Sequence, residues 1–373
     1  MNNTPYNICI RGLSLLAIIL LFAACTEEEV AVELPVFSKI TKLYELNSTI
    51  TSGEMGDWIA IHGNNLETTY SIVFNDIETD MNEVYYEDNI LYMQVPIAMP
   101  NDINNKVKVI TEGGEFNFNF VVNIPQLKLT GMFNEYTAPG DTLKIYGNFF
   151  ELYEVDPTNT VVSFNGIEKP VINVGNNYIT AQVPNNVESN IKLTVINSKY
   201  NATVECPGFY QDRQFIITNF DDIPYKGNDG KQYVGEWNDP KPLSGKYTLL
   251  DVGPEGSGWS YLMSIACPYT DDMKDNPDKY VVKFELNMIL PIINTNFYIY
   301  NYWNHPAGQI SAADLVVQKL RNWQTINIPL EKIIPLDFNG NRAYVGSFNI
   351  RIDSPSGEPI KMAWDNFRIT KKD

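Results

Sequence analysis

Apolar residues in this chain recur far more often at every second position than at helical spacing. Tyr280, Val282, Phe284, Leu286 and Met288 alternate with mostly polar neighbours. Tyr344, Phe348, Ile350 and Ile352 share one face of a later segment. Both patterns predict half-buried strands. In "TNFYIYNYWNHPAG", Thr295 to Gly308, Phe297 and Ile299 fall on one face. Tyr298, Tyr300 and Tyr302 fall on the other, a row of rings leading to Trp303. Short alternating segments punctuated by Gly, Asn and Pro, without a long 3.6-residue period, predict an all-β chain. One short helix is predicted over Ser311–Leu320, with Ser311 as its cap and Asp314 in the first turn.

The pattern also repeats. "GDWIAIHGNNL" (Gly56 to Leu66) returns as "GDTLKIYGNFF" (Gly140 to Phe150), and "IVFNDIE" (Ile72 to Glu78) as "VSFNGIE" (Val162 to Glu168). "ILYMQVP" (Ile90 to Pro96) then matches "YITAQVP" (Tyr178 to Pro184), and each copy ends in a strand rich in Val and Ile. Such strands need two facing sheets to bury their apolar sides. The motif G-D-x-(apolar)-x-I-x-G-N followed by F-N and V-P resembles the IPT/TIG family of immunoglobulin-like domains. The resemblance implies one β-sandwich over 34–124 and a second over 125–210, with Pro35 and Pro125 opening them. Domains of that family are commonly spacers, and neither copy shows a chemical constellation in its sequence.

From about Gln211 the repeat stops. Of six tryptophans only Trp58 precedes this point; Trp237, Trp259, Trp303, Trp323 and Trp364 follow it. Residues 211–373 read as a larger, jelly-roll-like β-sandwich.

The first residues read as a leader over 1–24. Arg11 precedes the apolar run Leu13–Ala24, too short to span a bilayer, which ends at "LFAAC". This resembles a lipobox, with Cys25 as the lipidated residue. Glu27, Glu28 and Glu29 then open an acidic tether over 25–33 and resemble the export signal of lipoproteins displayed on the outer face of the outer membrane. The formal charge of −18 becomes −19 once Arg11 is removed with the leader. That balance argues against nucleic acid or anionic lipid as a partner and is compatible with a neutral ligand. Cys206 and Cys267 lie far apart, with no disulfide framework and no zinc spacing.

The chain carries no G-x-S-x-G, P-loop, HExxH or dinucleotide fingerprint. Its two histidines are His62, matched by Tyr146 in the second copy, and His305. A glycosidase needs only two carboxylates, but no pair sits in a recognisable setting. No catalytic residue is assigned. Flat rings on a β-sandwich have another use: they cover the apolar C–H face of a pyranose at little conformational cost, while nearby amides and charged groups read its hydroxyls. Tyr302 and Trp303, flanked by Asn301, Asn304 and His305, have that mixture. Trp259 and Tyr261 share parity after a Gly/Ser loop, and Trp237 lies in a loop rich in Pro and Gly. Trp323 and Trp364 read as packed rings. Asp365, with Asp221 or Asp222, is the candidate set for a structural calcium; no other metal or cofactor is assigned.

Lipobox, acidic tail, tandem IPT/TIG repeats and a terminal sandwich with "WDNFRI" near its end together resemble the surface glycan-binding protein B family. The resemblance implies a non-catalytic lipoprotein of the cell outer membrane whose C-terminal domain binds a polysaccharide. The implied ligand is of β-glucan, xyloglucan or mannan type, and a glycan transporter pair is the implied neighbour. Two alternatives stand beside it. One is an extracellular glycoside hydrolase or lyase with the C-terminal domain as catalyst; the other is a protein-binding adhesin.

Overall fold

A computed structural model describes residues 33–223, 233–252, 258–267, 269–292, 296–300, 309–311, 315–334, 347–354 and 359–372. The chain divides into two compact units, one ending at Ile124 and the other starting at Pro125. Apart from the short helix Asp271–Asp275 and three single 3₁₀ turns, the described elements are strands.

The first unit is a β-sandwich. One sheet runs in the order Val36–Lys42, Trp58–Asn64, Ile90–Gln94, Tyr85–Glu87. The other runs Ile77–Glu78, Thr69–Phe74, Lys106–Thr111, Gly114–Asn119. Alternate residues of both meet in the middle: Ile59, Ile61, Leu91 and Met93 face Ile72, Phe74, Val107 and Val109. The motif glycine Gly63 is explained by a close approach, since a Cβ there would sit 2.4 Å from the Val36 carbonyl oxygen. Its repeat partner Gly147 stands at 2.4 Å from the Lys128 carbonyl. No side chain fits at either place.

The second unit begins with the other copy. Its seven strands follow the order Lys128–Met132, Thr142–Asn148, Tyr178–Gln182, Ile167–Gly175, Thr160–Phe164, Leu193–Asn197, Ala202–Glu205. A bulge between Val171 and Asn173 lets the long strand Ile167–Gly175 pair on both sides. The rest of the unit is a larger sandwich. Its main sheet has the order Val234–Gly235, Tyr247–Val252, Ile360–Lys371, Tyr280–Met288, Gln324–Pro329, with Ile216–Thr218 also paired to Ile360–Lys371. The facing sheet is Gly258–Ala266, Ser347–Ser354, Asn296–Tyr300, Gln309–Ser311. Leu250, Ile265, Phe284, Ile310, Ile350, Trp364 and Phe367 form the core between them. The all-β class and the immunoglobulin-like sandwich read from the sequence are the observed ones.

Two local expectations differ. The predicted helix over Ser311–Leu320 is not formed: Ser311 ends a strand, and the described residues 315–320 are irregular. The Gln324 side chain explains this. Its Oε1 accepts from the Gln318 N–H at 2.7 Å and its Nε2 donates to the Lys319 carbonyl at 2.9 Å. The Gln318 N–H would otherwise take part in a helical bond. The second difference lies in Tyr280–Met288, where the polar positions Lys283, Glu285 and Asn287 are buried as deeply as the apolar ones.

Candidate functional site

The four-stranded sheet of the C-terminal sandwich collects several of the candidate residues. Tyr261 of Gly258–Ala266 pairs with Arg351, Arg351 pairs with Tyr298, and Tyr298 pairs with Ser311. These four therefore form one row across all four strands. A second row holds Trp259, Asp353 and Asn296, and a third holds Asn349, Tyr300 and Gln309. The core row between them is Ile350, Ile299 and Ile310, in which Ile350 and Ile310 are each 1% exposed. The Arg351–Tyr298–Ser311 row is offset by one residue along each strand from the row that holds Ile350 and Ile310. The sequence pattern placed Tyr298 and Tyr300 together, but Arg351 is brought in only by cross-strand pairing.

The remaining candidates are distributed differently. Asn301, Tyr302, Trp303, Asn304 and His305 lie outside the described residues, as do Cys25 and the acidic tether up to Val32. Trp237 is not on the same sheet as Trp259. It follows the edge strand Val234–Gly235 of the main sheet, is 36% exposed, and donates from Nε1 to the Tyr233 carbonyl at 3.4 Å. Its ring lies over Gly235, where a Cβ would come within 3.0 Å of it. Trp364 is buried, and Trp323 is held edge-on to Tyr247 at 5.4 Å with its Nε1 donating to the Lys241 carbonyl at 2.7 Å. Trp364 is thus a core residue, whereas Trp323 is half-buried.

Two of the calcium candidates, Asp222 and Asp221, have protein partners. Asp222 pairs with Arg213 at 2.5 Å and accepts from Asn219. Asp221 accepts from the Lys246 N–H at 2.6 Å and the Ser244 hydroxyl at 2.9 Å. Asp365 is fully buried; one oxygen accepts from the Asn366 N–H at 2.7 Å and the other has no partner. Burial pushes its carboxyl well above the ordinary range, and the nearby Glu285 and Asp221 charges add to that shift. Among the described residues no group of three His, Cys, Asp or Glu side chains could hold a metal ion. Cys206 and Cys267 are both buried and are not joined in a disulfide.

A feature that no local pattern announces joins the second repeat copy to the C-terminal sandwich. The loop Asn134–Thr137 follows the strand Lys128–Met132 and is buried throughout. Within it Glu135 accepts from Lys283 at 2.6 Å and from Arg368 at 2.7 Å. The other side of the Arg368 guanidinium takes both oxygens of Glu285, at 2.9 and 3.0 Å. Thr325 ties the same loop on: its hydroxyl accepts from the Glu135 N–H at 2.8 Å and donates to Glu285 at 2.9 Å. The Tyr136 ring lies 4.8 Å from the guanidinium carbon. The quartet is neutral overall. Burial opposes ionisation of Glu135, but the adjacent Arg368 and Lys283 charges outweigh it and hold the carboxyl below the usual range. Glu285, with no exposure, is pushed upward by burial, and Arg368 opposes that shift. This is why the polar side of Tyr280–Met288 is covered. Beside the quartet opens a cleft of about 730 Å³, lined among others by Phe133, Tyr146, Asn148, Asn177, Gln318 and Asn327. None of the residues proposed from the sequence for sugar contact or calcium lines it.

With this geometry in place, comparisons with known proteins are informative. Residues 209–371 match the family model of the surface glycan-binding protein B xyloglucan binding domain, and residues 129–211 match the IPT/TIG domain. The surface glycan-binding protein PbSGBP-B from Prevotella bryantii has a similar structure, with a TM-score of 0.60 at 19% identity over 92% of this chain and 100% of that one. SGBP-B from a complex xyloglucan utilization locus in Bacteroides uniformis has a TM-score of 0.50 at 15% identity, over 91% and 99%. At such identities the likeness concerns the fold. An IPT/TIG domain-containing protein of Bacteroides ovatus is 24% identical over 151 residues, which is 39% of this chain. The chain thus spans about a third, 31%, of that curated relative's length. The matched family and the two solved structures are carbohydrate-binding proteins, not catalysts.

Proposed function

Since the chain belongs to the surface glycan-binding protein B family, we propose that it captures a neutral polysaccharide at the cell surface and releases it unchanged. Xyloglucan, the ligand named in the matched family's description, is the first candidate, with other β-glucans and mannan behind it. The observation that carries the reading is the row Tyr261–Arg351–Tyr298–Ser311 with Trp259 one row away. It brings aromatic and hydrogen-bonding residue types into register across four strands of the matched segment. Rings cover the C–H face of a pyranose, and Arg351, Asp353 and the amides of Asn296 and Asn349 offer donors and acceptors for its hydroxyls. Tyr302 and Trp303, with Asn301, Asn304 and His305 around them, follow the strand that carries Tyr298 in sequence and remain candidates for contact with the same ligand. Lipid on Cys25 anchors the chain to the outer membrane, where a transporter pair takes over the captured glycan.

Three stacked rings contributing about 1.4–2 kcal/mol each beyond ordering costs give roughly 4–6 kcal/mol. That corresponds to dissociation constants from about millimolar to tens of micromolar, suited to capture and release. Many copies on one membrane raise avidity without new contacts. The test is migration of the purified chain through gels containing xyloglucan, mixed-linkage β-glucan or galactomannan, with reducing ends assayed in parallel. Retardation without new reducing ends supports the reading, and Trp303→Ala weakens the retardation. Unhindered migration in every gel, or release of product, contradicts it.

A further inference from the structure

The first unit also carries rings where its fold does not ask for them. Across its first sheet, Trp58 pairs with Gln94, Ala60 with Tyr92, and Tyr92 with Tyr85. The neighbouring positions Ile59, Ile61, Leu91 and Met93 are turned into the core, so Trp58, Tyr92 and Gln94 belong to the outer face. Trp58 is 38% exposed and Tyr85 61%. Their ring centroids lie 6.4 Å apart with planes inclined by 34°. The result is a short aromatic strip, the tilted Trp58–Tyr85 pair with the half-buried Tyr92 directly across from Tyr85 in the strand register.

The second copy supplies an internal comparison. There Thr142 pairs with Gln182 and Lys144 with Thr180, the same register as Trp58 with Gln94 and Ala60 with Tyr92. Thr142 and Thr180 thus occupy the positions of Trp58 and Tyr92, and the sandwich forms without either ring. An exposed Trp–Tyr pair has a solvation cost, so a role outside folding accounts for it better than packing does. Charge narrows the occupant. Asp57 precedes Trp58, Glu87 follows Tyr85 and Tyr86, and the whole chain carries −18. That field disfavours acidic glycans, nucleic acid and anionic lipid, and leaves a neutral ligand with an apolar face. A pyranose chain has that face, and Gln94 beside Trp58 can both donate to and accept from its hydroxyls.

We propose that Trp58, Tyr85 and Tyr92, with Gln94, form a second neutral-glycan-binding surface on the first unit, separate from the C-terminal sheet. It extends the reading of the chain as a glycan-capture protein and rests on it. A second surface on the same chain would hold a long polysaccharide by avidity while each contact remained weak.

The experiment uses the full mature chain and the double variant W58T/Y92T, which installs the residues of the second copy at both positions. Xyloglucan gels report retention, calorimetric titration with a xyloglucan heptasaccharide reports the number of sites, and thermal unfolding reports folding. The variant is expected to unfold within a few degrees of wild type, to lose several-fold in retention on the polysaccharide, and to fall from two heptasaccharide sites to one. Equal retention and equal stoichiometry in variant and wild type overturn the second surface while leaving capture by the C-terminal sheet intact. So does a wild type with a single site, which would leave the strip to a protein partner. A wild type that binds no glycan at all overturns both. If W58T/Y92T unfolds early, Trp58→Phe and Tyr92→Phe replace it. The first should lower retention by shrinking the ring, and the second should leave it unchanged by keeping the stacking face; the opposite order, or no change in either, overturns the proposal.

Discussion

Replacing Glu135 by Gln removes one charge from the buried quartet while keeping the size of the side chain. In the wild type Glu135 meets Lys283 at 2.6 Å and Arg368 at 2.7 Å, with Arg368 fully buried and Lys283 nearly so. A glutamine has one oxygen to accept from one of these cations, and its NH₂ then confronts the other. The loss is about one charge-assisted hydrogen bond, worth roughly 1.5–3 kcal/mol, plus part of the cost of an unpaired buried charge. Breaking a buried pair costs about 3–5 kcal/mol, so an overall loss of about 3 kcal/mol is expected. For a unit of this size each kcal/mol moves Tm by about 2–4 °C, giving a shift of roughly 6–12 °C. Thermal unfolding followed by tryptophan fluorescence reads it. Asp141→Asn is the internal standard, because the Lys241–Asp141 pair joins the same two parts of the unit at 3.4 Å but is 78% and 54% exposed. Exposed pairs are worth about 0–1 kcal/mol. If Glu135→Gln shifts Tm no more than Asp141→Asn does, the quartet does not hold the second copy against the sandwich.

Two further outcomes follow from single positions. The Asp365 carboxyl keeps its proton in the folded state at pH values where the unfolded chain has lost it, so wild-type stability falls as pH rises above about 4. Asp365→Asn removes that fall, and urea unfolding should favour the variant by up to about 1.4 kcal/mol per pH unit across the window; parallel pH profiles would contradict the assignment. Gly147→Ala drives a methyl to 2.4 Å from the Lys128 carbonyl and 2.6 Å from the Phe150 ring, and a loss of about 3 kcal/mol is expected, read as a lower urea midpoint.

Much of the fold was legible because its causes are local. The motif glycines Gly63 and Gly147 are required by neighbouring carbonyls, and the alternation in Tyr280–Met288 put Val282, Phe284 and Leu286 into the core. The same alternation misled on the opposite side. Lys283 and Glu285 looked like a solvated face, yet they meet Glu135 and Arg368, and Glu135 and Arg368 are 233 residues apart in the chain. No periodicity encodes such a partner. Ser311–Leu320 failed as a helix for a related reason, since Gln324 competes for the Gln318 N–H. In the candidate site Tyr298 and Tyr300 were visible as a pattern, whereas Arg351 enters through strand pairing. Trp58 looked like a lone spacer residue until pairing set it beside Tyr85 and Tyr92.

The most direct test of glycan capture is calorimetric titration of the mature chain with xyloglucan oligosaccharides, comparing wild type with Trp259→Ala and Tyr261→Ala. The account predicts wild-type binding between about millimolar and tens of micromolar, weakened about ten-fold by loss of a ring worth roughly 1.4 kcal/mol, with thermal unfolding unchanged. Binding that neither substitution alters would contradict the assignment of the four-stranded sheet. Absence of binding to xyloglucan, mixed-linkage β-glucan and galactomannan alike would contradict glycan capture itself.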